Sequence, residues 1–169
     1  WSNGATTQSI TVTTSGSYTV TVTNASGCSA TSAATAVIVN ALPTATITAG
    51  GATTFCAGGS VTLTSSAGSS YLWSTGATTQ SITVTTAGSY SVTVTNASGC
   101  SATSAATAVT VNALPTATIT AGGVTTFCAG GSVTLTSSAG AGYLWSNGAT
   151  TQSITVTTSG SYTVTVTNA

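Results

Sequence analysis

The chain has 169 residues and contains no Asp, Glu, Lys, Arg or His, so its formal net charge is zero. General acid–base catalysis needs a side chain that titrates near neutral pH, a hydroxyl nucleophile needs an adjacent base, and Mg²⁺ or Ca²⁺ sites need carboxylates. Binding to the phosphate backbone of a nucleic acid needs Lys or Arg to displace its counterions. We therefore expect no enzymatic activity, no cofactor, no metal site and no nucleic-acid partner.

The apolar residues are too dispersed to form a membrane span. They make up 41% of the chain, but they alternate with Thr and Ser and never form a run of about 18. Residues 1–30 carry no basic start followed by an apolar block, so we expect any export signal to lie upstream. A chain without charge has no Coulombic repulsion between copies, which favours association or immobilisation.

The sequence is a tandem repeat with a period of 72 residues. Trp1, Trp73 and Trp145 begin the same text, and residues 1–72 and 73–144 differ at only seven positions. This period exceeds the 20–50 residues of solenoid coils and propeller blades, so it predicts a small domain in tandem. Because Pro lacks the backbone donor, Pro43 and Pro115 mark the boundaries. The predicted domains are a partial repeat at 1–42, a complete repeat at 43–114 and a partial repeat at 115–169.

Alternating apolar and hydroxyl residues predict short strands through the complete repeat. In chain order these are "TATITAG", "SVTLT", "YLW", "SITVTT", "SYSVTVT" and a last strand near residues 109–111. Glycine-rich or polar turns separate them, and this spacing predicts an antiparallel β-sandwich. The residues predicted to face its core are Val61, Leu63, Trp73, Ile82, Val84, Tyr90, Val92, Val94, Val109 and Val111.

Two aromatic residues favour an immunoglobulin-like topology for this sandwich. Trp73 follows "SVTLT" by about a dozen residues, which is the place of a buried third-strand tryptophan. Gly88-Ser89-Tyr90 opens a late strand in the manner of a tyrosine corner. Another small β fold, such as a prealbumin-like sandwich, would use the same residues as plain core. We expect tandem immunoglobulin-like domains.

The complete repeat opens with Cys56-Ala57-Gly58, has "YLWSTG" at its centre and "GSYSVTVT" in a late strand, and closes with Gly99-Cys100. This combination resembles the immunoglobulin-like and SprB-type repeats of very large surface and gliding adhesins exported by Bacteroidota. The shared pattern is a Cys-x-Gly opening, a "YxWSxG" centre, a "GxYxVTVT" strand and a closing "GC", and the resemblance covers nearly the whole repeat. It implies a secreted, cell-attached stalk or filament without an enzymatic site. The matching residues are Cys56, Tyr71, Trp73, Ser74, Gly76, Gly88, Tyr90, Val92, Val94, Gly99 and Cys100.

The four cysteines, at 28, 56, 100 and 128, follow the same 72-residue period. Their even number and placement indicate disulfides in an oxidising compartment, and zinc lacks a CxxC pair or a histidine. The family motif frames one repeat with Cys56 and Cys100, which implies that these two pair and that Cys28 and Cys128 have partners outside this segment. A strict immunoglobulin topology places Cys56 and Cys100 at opposite ends, so Cys28–Cys56, or links beyond the segment, remain open.

The function predicted from the sequence is structural: a stalk or filament segment of a large extracellular bacterial surface protein. Its expected partners are neighbouring repeats and other copies in a filament, since edge strands without Lys invite pairing. The alternative is an array that binds glycans or ice through Thr-rich faces and aromatic residues. Asn24-Ala25-Ser26 and Asn96-Ala97-Ser98 match a glycosylation sequon, but Asn before small residues and Gly also suits a tight turn.

Overall fold

The computed structural model describes residues 1–168, and every regular element among them is a β-strand. The predicted all-β class is thus confirmed. By its contacts the chain divides into two compact units. The first comprises Trp1–Thr48, Leu63–Ile82 and Tyr90–Thr107, and the second comprises Ala49–Thr62, Thr83–Ser89 and the chain from Ala108 onward. Both units draw on residues 43–114, so this division does not follow the 72-residue period.

The first copy of the repeat forms two small antiparallel pairs. Strand β1 (Gly16–Tyr18) pairs with β4 (Thr35–Val37), and β2 (Thr21–Thr23) pairs with β3 (Ser29–Thr31). None of the residues in these four strands is buried. Hydrogen-bonded pairs therefore form here without a closed core.

The complete repeat, residues 43–114, holds nine short strands in three three-stranded sheets. The sheets have the orders β5-β7-β9, β10-β13-β6 and β12-β11-β8. In the last of these, β11 pairs antiparallel with both neighbours, and Val92 lies opposite Trp73. The strands are β5 (Ile47–Ala49), β6 (Thr54–Cys56), β7 (Val61–Ser65), β8 (Ser70–Trp73), β9 (Ser81–Val84), β10 (Gly88–Tyr90), β11 (Val92–Thr95), β12 (Ser101–Thr103) and β13 (Thr107–Asn112).

One strand pair departs from the antiparallel arrangement expected from the sequence. Strands β6 and β13 run parallel, with Thr54 opposite Thr110 and Cys56 opposite Asn112. The reason is that the opening stretch of the repeat serves two sheets, since β5 belongs with β7 whereas β6 belongs with β13. A first strand that changes sheets comes to lie beside the last strand in the same direction.

The third copy shows how two sheets share one core. Its strands form one antiparallel sheet, β14-β15-β17, and one antiparallel pair, β16-β18. Val133 and Leu135 of β15 and Ile154 and Val156 of β17 cluster with Trp145 of β16. Each of these strands presents its apolar residues on one side, which follows from the period of two. The strands are β14 (Ile119–Ala121), β15 (Val133–Ser137), β16 (Gly142–Trp145), β17 (Ser153–Val156) and β18 (Val164–Thr167).

The turn after each tryptophan strand depends on glycine. Gly76 N donates to Trp73 O at 2.8 Å, and Trp73 N donates to Ala77 O at 2.8 Å, which closes a tight turn. Gly76 has φ +85°, a backbone region that side-chain-bearing residues rarely adopt. The "WSxG" motif therefore encodes this turn. The same turn recurs in the third copy, where Gly148 has φ +87°.

Identical sequence has different burial in the three copies. The valine of the "TVT" strand is fully buried at Val94, 7% exposed at Val166 and 64% exposed at Val22. Its neighbours in sequence are the same in each copy, so local sequence does not decide the difference. Burial follows from the number of partner strands present around the valine.

We expect Gly68→Ala to destabilise the complete repeat. A Cβ added at Gly68 would overlap Val94 Cγ1 and lie 3.1 Å from Thr95 O. Val94 is fully buried and has nowhere to move, so overpacking should lower the free energy of unfolding by about 1–3 kcal/mol. Urea denaturation, monitored by peptide-resolved hydrogen exchange over residues 43–114, measures this loss of stability.

The matched control for that substitution is Gly51→Ala. A Cβ at Gly51 meets nothing within 4 Å, and the residue does not have a positive φ. We expect a change of no more than about 1 kcal/mol, in the stabilising direction, because Ala restricts the unfolded chain. Equal losses for the two variants would contradict the close packing of Gly68 against Val94.

Candidate functional site

The residues predicted to form the core are mostly withdrawn from solvent. Ile82 and Val111 are half-buried. Trp73 is 2% exposed, and its Nε1 donates to Thr79 O at 2.8 Å. The buried residues of the predicted set are Val61, Leu63, Trp73, Val84, Tyr90, Val92, Val94 and Val109. These aromatic faces are therefore closed to a stacking sugar.

Hydroxyl side chains on the strand surfaces bond to one another across strands. Thr93 and Thr103 hydroxyls lie 2.9 Å apart, as do Thr95 and Ser101, and Thr64 and Ser81 hydroxyls are 3.0 Å apart. Cross-strand hydroxyl pairs of this kind stabilise antiparallel sheets. The sequence has no Asp, Glu or His side chain beside them, and their observed partners are the hydroxyls of neighbouring strands.

The cysteines are free thiols. Cys28, Cys56 and Cys128 are exposed, and Cys100 is half-buried. Cys56 and Cys100, which the family pattern frames as a pair, are not bonded to each other. Within residues 1–168 no three Cys, His, Asp or Glu residues group closely enough to hold a metal ion.

The "NASGC" turn at residues 96–100 is built around the amide of Asn96. Its Oδ1 accepts hydrogen bonds from Ser98 N and Cys100 N, both at 3.0 Å. Gly99 has φ +79° and donates its N–H to Asn96 O at 3.0 Å. Asn is suited to this position because its side-chain oxygen mimics a backbone acceptor. The amide oxygen therefore fixes the turn and leaves the amide nitrogen for another partner.

That nitrogen binds the linker between repeats. Asn96 Nδ2 donates to Ala41 O at 2.8 Å, across 55 residues of sequence. One period later, Asn168 Nδ2 donates to Ala113 O at 2.7 Å. In these two repeats the turn is thus bonded to the "NALP" linker that precedes the repeat. We call this arrangement, the turn Asn plus the linker Ala, the junction.

The junction bears on the glycosylation sequon. Asn96 is the sequon residue, and both ends of its amide are engaged, the oxygen in the turn and the nitrogen in the linker. An attached sugar would replace one hydrogen of that nitrogen and crowd the Ala41 carbonyl. The contacts of Asn96 favour the turn interpretation of "NAS".

A shallow groove of about 670 Å³ lies beside the second junction. One wall is the linker from Val111 to Pro115, and another is the end of β18 with Asn168. Cys56 also lines the groove. The groove thus places a thiol next to the linker and the turn Asn.

A larger cavity, of about 900 Å³, opens in the third copy. Phe127 and Tyr162 line it, together with core residues Val133, Leu135 and Val156. In the complete repeat the corresponding residues are Phe55 on β6 and Tyr90 on β10. These two strands lie on either side of β13 in one sheet. The cavity therefore lies where the complete repeat has its closing strand, and hydroxyl side chains and the Cys128 thiol line it together with the apolar residues.

Comparison with known proteins adds no family to this geometry. No protein-family model matches the chain, and no curated protein matches it. The described part of the chain also contains no helix with the length and hydropathy that a membrane crossing requires. The site must be interpreted from its own contacts.

We expect Asn96→Asp to loosen the linker while keeping the turn. Aspartate retains an oxygen acceptor for Ser98 N and Cys100 N, but it has no N–H for Ala41 O and places a negative charge against that carbonyl. One hydrogen bond is worth about 0.5–1.5 kcal/mol. NMR relaxation should then show higher mobility at residues 40–43, with the strands on either side of the turn unchanged.

The control for the linker is Asn24→Asp in the first copy. Asn24 Oδ1 makes the same turn bonds, to Ser26 N and Cys28 N at 3.0 Å. This variant should leave the mobility of residues 40–43 as it is in the parent chain. Equal loosening by the two variants would mean that the Asn96 side chain does not hold the linker.

Proposed function

We propose that the chain is a structural spacer: a segment of a stalk or filament on a large extracellular bacterial surface protein, built from tandem immunoglobulin-like domains. The near-identical 72-residue text, the absence of charged side chains and the resemblance to SprB-type surface repeats support the proposal. Such work requires hydrogen-bonded strands and a sealed core, and it requires no titrating group.

Several features of the fold support the immunoglobulin-like assignment. The opening stretch serves two sheets, and β6 lies parallel to the closing strand β13. Tyr18 and Tyr162 each donate their hydroxyl to the carbonyl four residues earlier, at 3.0 and 3.1 Å. That bond and the buried third-strand Trp73 are features of immunoglobulin-like sandwiches.

The observation that carries the proposal is the repetition of the junction. Asn96–Ala41 and Asn168–Ala113 are the same contact one period apart, at 2.8 and 2.7 Å. A linker that is bonded to the following repeat has less hinge freedom than a free one, and the adjacent Pro restricts it further. Consecutive repeats then keep a defined orientation, which a stalk needs and a loose string of domains lacks.

Small-angle scattering from reduced chains of two, three and four complete repeats tests this function. A stalk requires the maximum dimension to increase by the same length with each added repeat. A freely jointed string would instead grow roughly as the square root of repeat number. Growth of that second kind, in a chain whose repeats are folded, would contradict the spacer proposal.

The extracellular location has its own test. Antibodies raised against residues 43–114 should label intact, unpermeabilised cells that produce the protein, and brief protease treatment of those cells should remove the label. Labelling that appears only after permeabilisation would overturn the surface assignment.

A further inference from the structure

We propose that consecutive repeats are joined by a disulfide, formed between Cys56 of one repeat and the counterpart of Cys100 in the following repeat. The inference rests on the proposed tandem array, because its second cysteine lies in a repeat that continues the chain. It differs from the Cys56–Cys100 bond within one repeat that the family pattern implies.

The first observation concerns Cys100 and the linker that precedes its repeat. The Cys100 Sγ lies 3.8 Å from the carbonyl oxygen of Asn40. Asn40 is adjacent to Ala41, the acceptor of the junction bond from Asn96. The thiol that closes the "NASGC" turn therefore lies against the end of the preceding repeat.

The second observation concerns Cys56 and the end of its own repeat. Cys56 lies opposite Asn112 in the parallel pair of β6 and β13. Ala57 N donates to Asn112 O at 2.8 Å, so this carbonyl is directed at the peptide that follows Cys56. Asn112 is the counterpart of Asn40, 72 residues along the sequence.

Together the two observations place both thiols at one carbonyl. Asn112 is the counterpart of Asn40, so the contact of Cys100 with Asn40 O should recur between Asn112 O and the Cys100 counterpart of the next repeat. The same carbonyl accepts a hydrogen bond from the peptide that follows Cys56. A disulfide requires Cα atoms within about 7 Å, and neighbouring strands lie about 4.8 Å apart. The proposal therefore requires the Cα atoms of the two cysteines to lie within about 7 Å of each other beside Asn112 O.

The groove at the second junction supports the same placement independently. Cys56 lines it together with Asn168, the counterpart of Asn96. In the complete repeat Cys100 N donates to Asn96 Oδ1 at 3.0 Å, and Asn96 N donates to Cys100 O at 3.0 Å. If the next repeat makes the same turn, the counterpart of Cys100 closes it at the groove that Cys56 lines.

The proposal also accounts for the four free thiols. Cys56 and Cys128 require partners one repeat onward, and Cys28 and Cys100 require partners in a preceding repeat. By the 72-residue period every one of these partner positions falls outside residues 1–169. Under the proposal each cysteine has one defined partner in a tandem array.

The bond forms by exchange with a small-molecule disulfide such as oxidised glutathione. The Cys56 thiolate attacks one sulfur of that disulfide, forms a mixed disulfide and releases the other half as a thiolate. The thiolate of the neighbouring repeat then attacks the Cys56 sulfur and displaces the second half. The protein loses two protons and two electrons, and the oxidant leaves as two thiols. Cys56 is exposed, which gives the oxidant access.

The test uses the full chain lengthened after Ala169 by a copy of residues 98–114, which supplies the counterpart of Cys100. The reduced protein is oxidised with oxidised glutathione, free thiols are alkylated, and the chain is cut with chymotrypsin, because trypsin has no Lys or Arg to cleave. Chymotrypsin cuts after Tyr90 and Tyr162, so the Cys100 peptide begins with Ser91 and the peptide with the added cysteine begins with Thr163. The two peptides therefore differ in mass.

We expect nearly all Cys56 to be recovered in a peptide linked to the added cysteine, within a monomeric chain, with Cys28, Cys100 and Cys128 alkylated. Cys56→Ser should leave the added cysteine alkylated, and Cys28→Ser should leave the link unchanged. A Cys56–Cys100 peptide, a link between chains, or Cys56 recovered mainly as the alkylated thiol would overturn the proposal.

The outcome separates this inference from the proposed function. Scattering from the reduced, lengthened chain reports whether folded repeats remain aligned without any bridge. If they remain aligned and no link forms, the cross-link is wrong and the spacer stands. If alignment is lost while the link still forms, the spacer proposal fails by itself.

Discussion

Trp73→Ala should unfold the complete repeat. The indole is 2% exposed and donates Nε1–H to Thr79 O at 2.8 Å. Truncating a buried Trp to Ala costs about 3–5 kcal/mol, which is as much as a single small core supplies in total. Hydrogen exchange over residues 43–114 of the 169-residue chain should therefore rise towards the rate of an unfolded peptide.

The matched control is the adjacent residue on the same strand. Leu72 is 54% exposed, so Leu72→Ala removes little buried surface and should change the free energy of unfolding by about 0.5 kcal/mol or less. Protection of residues 43–114 that survives Trp73→Ala would mean that the repeat has no core centred on this indole.

The second large effect is expected from Val94→Asp. Val94 is fully buried, and the chain contains no Lys or Arg that could pair with a new carboxylate. An uncompensated buried charge costs about 3–5 kcal/mol, so this variant should also lose the folded state of the complete repeat. Circular dichroism and hydrogen exchange of the same sample measure that loss.

The chain supplies its own control in Val22→Asp. Val22 lies in the same "VTVTNASGC" stretch, but it is 64% exposed. The new carboxylate remains hydrated there, and the expected change is within about 0.5 kcal/mol. Similar losses for both variants would show that sequence context alone, and not burial, sets the response.

Local sequence pattern predicted most strands of the complete repeat and most of the residues that face inward, but it missed the short strands β6 and β12. Alternation placed Val61 and Leu63 on one side of a strand, and both are buried. It could not predict how completely each position is covered. Ile82 and Val111 have the inward phase but are half-buried, and Val22 has it and is exposed. Coverage depends on which strands lie nearby, and that is a property of topology.

Contacts between distant segments left little signal in the local pattern. The parallel pairing of β6 with β13 requires knowing that the opening stretch changes sheets. The bond from Asn96 to Ala41 spans 55 residues, and "NAS" by itself indicates only a turn or a sequon. The one available clue was the period, because a turn Asn and a linker Ala that recur together every 72 residues are candidates for contact.

The most direct test of the account is single-molecule pulling of a reduced tandem array. If each 72-residue repeat is a self-contained module that bears load, extension should occur in equal steps that each release about 240 Å of chain, the contour of 72 extended residues. Steps of unequal length, steps of half or double that length, or smooth lengthening without steps would contradict the account.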